Sequence, residues 1–137
     1  MVIQELIDIE VMQTKEITRK AWEKLCARIN ESHHGSRVDI QLVRSDGNTI
    51  PVADDMPLRS VALDDKSDPC NDNLIIEAGL PDQKPIRHLI VEPIYIRLKD
   101  GTQDRYHHLH ILAESGTTIL TLHPGLSATV LNELEAD

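Results

Sequence analysis

The stretch RYHHLHIL, residues 105–112, places three of the seven histidines of the chain within four positions. Imidazole nitrogens bind transition metals and exchange protons near neutral pH, so this spacing could serve a metal site or a proton relay. In a β-strand, however, successive side chains point to opposite faces, and Leu109 and Ile111 favour the core. The alternation therefore predicts one solvent-facing group, made of Tyr106, His108 and His110.

Two histidines at positions i and i+2 of a strand can bind one metal ion if a third ligand completes the site. The candidate third ligands are scattered along the chain: His88, Glu92, Asp104, Glu114 and His123. A strand face exposed to water accounts for the same pattern, so the presence of a metal stays open. We take Tyr106, His108 and His110 as candidate binding residues, and we assign no catalytic residue and no cofactor.

Motifs for other chemistries do not appear in the sequence. The acidic stretch DDKSDPCND, residues 64–72, lacks the glycine and the closing glutamate of a calcium loop, and we interpret it as a polar turn. Neither a Gly-x-Ser-x-Gly motif nor a glycine-rich phosphate loop occurs. Cys26 and Cys70 lack metal-site spacing, and Cys26 belongs to the apolar side of a predicted helix, which indicates a buried thiol.

Composition limits the classes of partner. The chain has 137 residues, a net charge of −9 and only three aromatic side chains, two Tyr and one Trp. Nucleic-acid binding needs clustered basic residues or aromatic platforms, and anionic membranes also attract basic segments, so we predict neither partner. Without a secretory signal or an apolar run that could span a bilayer, we expect a cytoplasmic location. The length favours a single domain over residues 1–137.

The surrounding elements follow from hydrophobic periodicity. Within residues 18–35, one apolar face has the i, i+3, i+4, i+7 spacing of a helix and consists of Trp22, Leu25, Cys26 and Ile29. Residues 36–123 are typical of short strands separated by turns, without crossover helices. We therefore predict an α+β fold in two layers, an antiparallel meander-like sheet packed on an N-terminal helix. Residues 1–17 form an arm or a strand, and residues 124–137 a tail or a short C-terminal helix.

In this order, the Trp-bearing helix and the segments VDIQLV, NLIIEAG, RHLIVEPIYIRL and LHILAESGTTILTL resemble a family of small bacterial proteins known only as a domain of unknown function. The resemblance covers residues 18–123, and its matching positions are His88, Leu89, Ile90, Pro93 and Ile94. It implies the fold boundaries and no activity. Because members of the family usually have ordinary strand residues at positions 107–110, the resemblance does not imply a common role for the histidines.

These observations favour a small non-enzymatic domain that acts through protein contacts, since the edges of a sheet can pair with another chain. Self-association as a homodimer is one form of such contact. The alternative is a metal-dependent or small-molecule-binding enzyme built around His108 and His110. A third ligand converging with these two residues in a concave site would favour the enzyme.

Overall fold

The computed structural model of the chain describes residues 14–64, 73–99, 105–127 and 129–135. Strand β1, Thr14–Ile17, leads through a short 3-10 turn, Arg19–Ala21, into helix α1, Trp22–His33. The first 13 residues of the predicted arm and most of the acidic turn, including Asp65, lie outside the described residues.

Seven further strands follow, and all pairings are antiparallel. They are β2 (Arg37–Val43), β3 (Thr49–Asp64), β4 (Asn73–Ala78), β5 (Ile86–Ile90), β6 (Tyr95–Lys99), β7 (Arg105–Ala113) and β8 (Gly116–Ser127), and the chain continues into helix α2 (Thr129–Glu135). Their order in the sheet is β1-β6-β7-β8-β2-β3-β4-β5. The predicted α+β fold with a helix packed on an antiparallel sheet is therefore confirmed, and the C-terminal segment contains a short helix.

Strand β3 bends the sheet. Its first half pairs with β2 through Pro57, and its second half pairs with β4 from Leu58 onward, with register shifts on both sides of this junction. β3 is thus shared between a six-stranded part, which runs from β1 to β3, and a three-stranded part made of β3, β4 and β5. Within the predicted stretch of short strands, residues 49–64 thus form one long strand instead.

The three-stranded part folds back over the inner face of the six-stranded part. His88 of β5 lies 2.8 Å from Thr118 of β8, measured from Nε2 to Oγ1. Four positions separate these strands in the sheet order. In a flat sheet that separation would be roughly 19 Å, at about 4.8 Å per strand. The inner faces of the two parts therefore enclose a common core.

Helix α1 is held against this sheet by polar as well as apolar contacts. The side chain of Asn30 accepts the N–H of Val61 and donates to its carbonyl, at 2.8 and 2.9 Å. This pairing satisfies backbone groups of β3 on the side away from β4. The indole N–H of Trp22 donates to the carbonyl of Ile17, at 3.0 Å. Asn30 of helix α1 therefore makes the two backbone hydrogen bonds with Val61 that a neighbouring strand would otherwise make.

The core is aliphatic around a single tryptophan. Its largest fully buried side chains are those of Trp22, Leu25, Ile29, Ile40, Leu58, Leu74, Ile76, Ile90, Ile96, Leu98, Leu109 and Ile111. Fully burying one such side chain is worth about 1.5–3 kcal/mol. Cys26 lies in the same core, and burial raises the pKa of its thiol to about 12. The prediction of a buried, unreactive thiol is therefore confirmed.

Candidate functional site

The solvent face of the six-stranded part carries two rows of side chains across β6, β7, β8 and β2. We call this surface the histidine face; its residues are Lys99, His108, Thr121 and Asp39 in one row and Arg97, His110, Ile119 and Gln41 in the next. Within each row, direct cross-strand partners come close enough for their side chains to interact. The rows bring together residues that are far apart in the sequence.

His108 and His110 lie on this face as predicted. Their ring planes are nearly perpendicular, at 84°, and their centroids are 6.5 Å apart. The Nδ1 atom of His108 is hydrogen-bonded to the Oγ1 atom of Thr121, at 2.9 Å. One nitrogen of this imidazole is thus already held by the neighbouring strand.

Tyr106, the third residue predicted for this face, lies next to an irregularity in the strand pairing. A register shift lies between Tyr106 and His108. Tyr106 pairs with Leu126, which is buried, and its side chain packs partly against the core. Between the two pairs that flank this shift, β7 has one residue, His107, and β8 has four, residues 122–125, so the irregularity lies in β8.

A depression of about 480 Å³ opens beside His108. Its walls consist of Asp39, Gln41, Pro51, Ala53, Asp54, His108 and Thr121. The carboxylate of Asp39 accepts the backbone N–H of Asp55 at 2.7 Å and lies 3.2 Å from Nε2 of His123. The N–H of Asp55, more than the smaller effect of His123, lowers the pKa of Asp39. Asp39 is therefore a fixed anion on this surface.

The backbone beside this depression is irregular. Asp55 has a φ of 53°, an uncommon value for a residue with a side chain, in the stretch where the β2–β3 register shifts. The carbonyl of Asp55 accepts a hydrogen bond from Arg37, at 2.8 Å. No sequence pattern predicts Asp39 or Thr121 as neighbours of His108, because only the strand register places them side by side.

The polar groups of the histidine face do not assemble a relay among the described contacts. A nucleophilic relay needs one imidazole that touches both a hydroxyl and a carboxylate. Here His108 contacts the hydroxyl of Thr121, whereas a different histidine, His123, contacts the carboxylate of Asp39. In these two contacts, the hydroxyl of Thr121 and the carboxylate of Asp39 bind two different imidazoles.

The candidate metal ligands do not converge in the described part of the chain. No group of three or more His, Cys, Asp or Glu side chains there is arranged to hold a metal ion. His88 lies on the inner face against Thr118, and His123 contacts Asp39. Asp104 lies outside the described residues.

A second surface is formed by the outermost strand of the three-stranded part. Strand β5 ends the sheet order, and no strand in the described ranges pairs with its far side. Its outward side chains are exposed, with Leu89 at 50% and the following Val91 at 48%. We call residues 84–92, with this open side of β5, the β5 edge. The resemblance pointed to His88 and Leu89 only as pattern positions, without a role.

Both ends of the β5 edge are held in place. At the start, the guanidinium of Arg59 donates to the carbonyls of Gly79 and Gln83, at 3.3 and 2.9 Å, and to that of Leu80. At the end, the N–H of Glu92 donates to the side chain of Asn73, at 3.0 Å. These contacts fix the strand without covering its outward side.

The face of β5 that points inward is different. His88 is partly buried between the two parts of the sheet, and its burial lowers its pKa. The neutral imidazole is therefore favoured, in keeping with its hydrogen bond to Thr118. His88 is a structural contact between the layers.

Comparison with known proteins gives a family and no activity. Among the described residues, no helix is long and apolar enough to cross a membrane. No curated protein and no solved structure matches the chain. A family model described as a family of unknown function, DUF5335, matches residues 13–128, which is most of the chain. The chain therefore belongs to the DUF5335 family of unknown function.

Proposed function

We propose that this protein is a non-enzymatic interaction domain that binds an extended polypeptide segment along the β5 edge. The observation that carries the proposal is an outermost strand with exposed apolar side chains. These are Leu89, on the outward face of β5, and Val91, directly after the strand. A polypeptide that adds to a sheet edge gains main-chain hydrogen bonds from the strand and side-chain contacts from alternate positions.

The outward face beside this edge extends the apolar surface. In the strand register, Leu89 of β5 is the direct partner of Ile75 of β4, which is the partner of Ala62 of β3. Ile94, just after the β5 edge, is 59% exposed. Apolar side chains grouped on the surface of a protein are characteristic of contact sites.

Strand β5 itself, within the β5 edge, lacks several of the usual protections against strand pairing. Natural edges are commonly blocked by inward-pointing charges, by proline within the strand or by bulges. Strand β5, IRHLI, contains none of these devices, and its one charged residue, Arg87, points outward. Its guanidinium lies 3.6 Å from Glu77 of the neighbouring strand. The outer side of strand β5 is therefore sterically accessible to another strand, and its net charge is close to zero.

A peptide-display selection tests this function. Random peptides are selected on the immobilised protein, and hydrogen–deuterium exchange of the complex reports which amides become protected. We expect the selected peptides to slow exchange across Ile86–Ile90. Leu89→Lys should weaken their binding at least about tenfold, because a charge on the edge opposes strand addition.

The matched control is Leu80→Lys. Leu80 is also exposed, at 39%, but lies in the turn before β5. The control should retain wild-type affinity. Peptides that bind both variants as tightly as the wild type, or that protect amides away from β5, would show that the β5 edge is not the binding surface.

A further inference from the structure

Building on the proposed function, we infer that one partner of the β5 edge is a second copy of this chain, paired antiparallel about a twofold axis through His88. An antiparallel pair of identical strands places residues at equal distances from the axis opposite each other. Strand β5 has five residues, Ile86–Ile90, with His88 in the middle. In this register every residue of the strand has a partner in the other copy.

The pairs in this register are compatible on both faces. On the inward face, Ile86 of one copy comes opposite Ile90 of the other, and both are aliphatic. On the outward face, Arg87 comes opposite Leu89, so that the methylene groups of the arginine cover the exposed leucine. The guanidinium remains beside Glu77 of its own chain and in water.

Charges at the two ends of the β5 edge are complementary in the same register. Lys84 lies four residues before His88, and Glu92 lies four residues after it. Both residues flank the strand, and Glu92 has a left-handed backbone with a φ of 49°, so their backbones do not continue the strand register. Pairing about His88 nevertheless places Lys84 of each copy at the same end of the paired strands as Glu92 of the other, where the two long side chains can form two symmetric ion pairs. Both side chains are exposed, and neither has an ion pair of its own within the described part of the chain.

The overall charge of the protein favours this surface for self-association. The chain carries a net charge of −9, so most of its surface repels a second copy. The segment KPIRHLIVE, residues 84–92, has two basic residues and one acidic residue. Two copies can therefore approach along the β5 edge with less repulsion than along an acidic surface.

Charge reversal tests the pairing and its register. Sedimentation equilibrium of the full chain at micromolar concentrations should show a monomer–dimer equilibrium. Lys84→Glu and Glu92→Lys should each weaken the dimer about tenfold, since each replaces two attractions with two repulsions. The double variant K84E/E92K should regain the wild-type dissociation constant. An equimolar mixture of the two single variants should form dimers more tightly than either variant alone.

Matched controls carry the same changes in charge elsewhere. Lys20→Glu, next to helix α1, and Glu114→Lys, in the β7–β8 turn, should leave the dimer unchanged. A protein that stays monomeric throughout would overturn the inference, and so would a dimer unaffected by K84E and E92K. Because the display selection reads peptide protection of β5 in the monomer, it can succeed while this inference fails.

Discussion

The histidine face and the β5 edge differ in how their polar groups are satisfied. On the histidine face, side chains that could do chemistry already have neighbours, as with His108 and Thr121 or Asp39 and Asp55. On the β5 edge, no side-chain motif stands out, yet no strand among the described residues pairs with the far side of β5. The histidine face is thus recognised by its reactive residue types, whereas the β5 edge is recognised by its position at the end of the sheet.

This difference shows that the spacing of reactive residues in the sequence does not predict which groups of the folded protein are available to bind a partner. An imidazole held by a neighbouring strand has less freedom to take a new ligand, because the new bond must replace an existing one. Backbone groups at a sheet edge are exchanged from water to a partner strand without breaking a protein hydrogen bond. The two surfaces should therefore respond differently to mutation.

The largest effect is expected from the glycines that build the two regions. Gly116, at the start of β8, has a φ of +134°, and an added Cβ would meet the carbonyl of Val43 and the Cα of Arg44. Gly116→Ala should cost about 3 kcal/mol of unfolding free energy, measured by urea denaturation. Gly79→Ala, before β5, should cost less, about 1–2 kcal/mol, because its nearest neighbour, Pro85 Cα, would be 3.3 Å away.

Equal costs for the two glycine variants would contradict this contrast. They would indicate that the β4–β5 turn is as constrained as the β7–β8 hairpin. Both strands of that hairpin lie inside the sheet, with a neighbouring strand on each side. A lower cost at Gly79 would agree with a β5 edge that is fixed by side-chain contacts at its ends, such as that of Arg59, more than by close backbone packing.

The contact that joins the two parts of the sheet should give the next largest effect. Thr118→Val keeps the shape of a buried side chain but removes the hydroxyl that bonds His88. We expect a loss of about 1–2 kcal/mol in urea denaturation, because the imidazole nitrogen loses its partner. Thr117→Val, at an outward and less buried neighbour, is the matched control and should change stability by less than about 0.5 kcal/mol.

His88 should also give stability a dependence on pH. Its folded-state pKa lies below the usual 6.5 because of burial, so the unfolded chain takes up a proton first as the pH falls. The stability due to neutral His88 is complete above about pH 6.5 and is lost as the pH falls toward the lower folded-state pKa. His88→Gln should flatten this part of the profile of unfolding free energy against pH. An unchanged slope would show that other groups produce it.

The sequence predicted the elements of the fold better than their assembly. Helix α1 and the strands β2 and β4 to β8 follow from periodicity, because a helical face and strand alternation are local properties. The formation of one long bent strand, β3, over residues 49–64 depends on pairing with both β2 and β4. That pairing is a property of the tertiary structure and leaves no periodic signal.

The candidate sites show the same limit. Alternation places His108 and His110 on the face opposite the buried Leu109 and Ile111, whereas the register shift beside Tyr106 arises from extra residues in β8 and has no signal in the sequence of β7. The neighbours of His108, Thr121 and Asp39, come from two other strands and could be found only from the register. The β5 edge could not be recognised at all before the strand order was known.

A smaller effect is expected from the hydrogen bond between His108 and Thr121. A double-mutant cycle with His108→Ala and Thr121→Val should give a coupling energy of about 0.5–1.5 kcal/mol in urea denaturation. His110→Ala combined with Thr121→Val provides the comparison, because His110 pairs with Ile119 in the register, and its coupling with Thr121 should be closer to zero. Equal coupling in both cycles would mean that the bond at His108 is not specific.

The smallest effect is expected at His123, which lies next to the histidine face and contacts its Asp39. His123 is exposed and lies 3.2 Å from Asp39, whose stronger partner is the backbone N–H of Asp55. His123→Gln should therefore change unfolding free energy by less than about 0.5 kcal/mol, since exposed ion pairs contribute little. It should also leave the sedimentation dimer and the peptide affinity unchanged. A clear loss of either would contradict the assignment of the contact surface to the β5 edge alone.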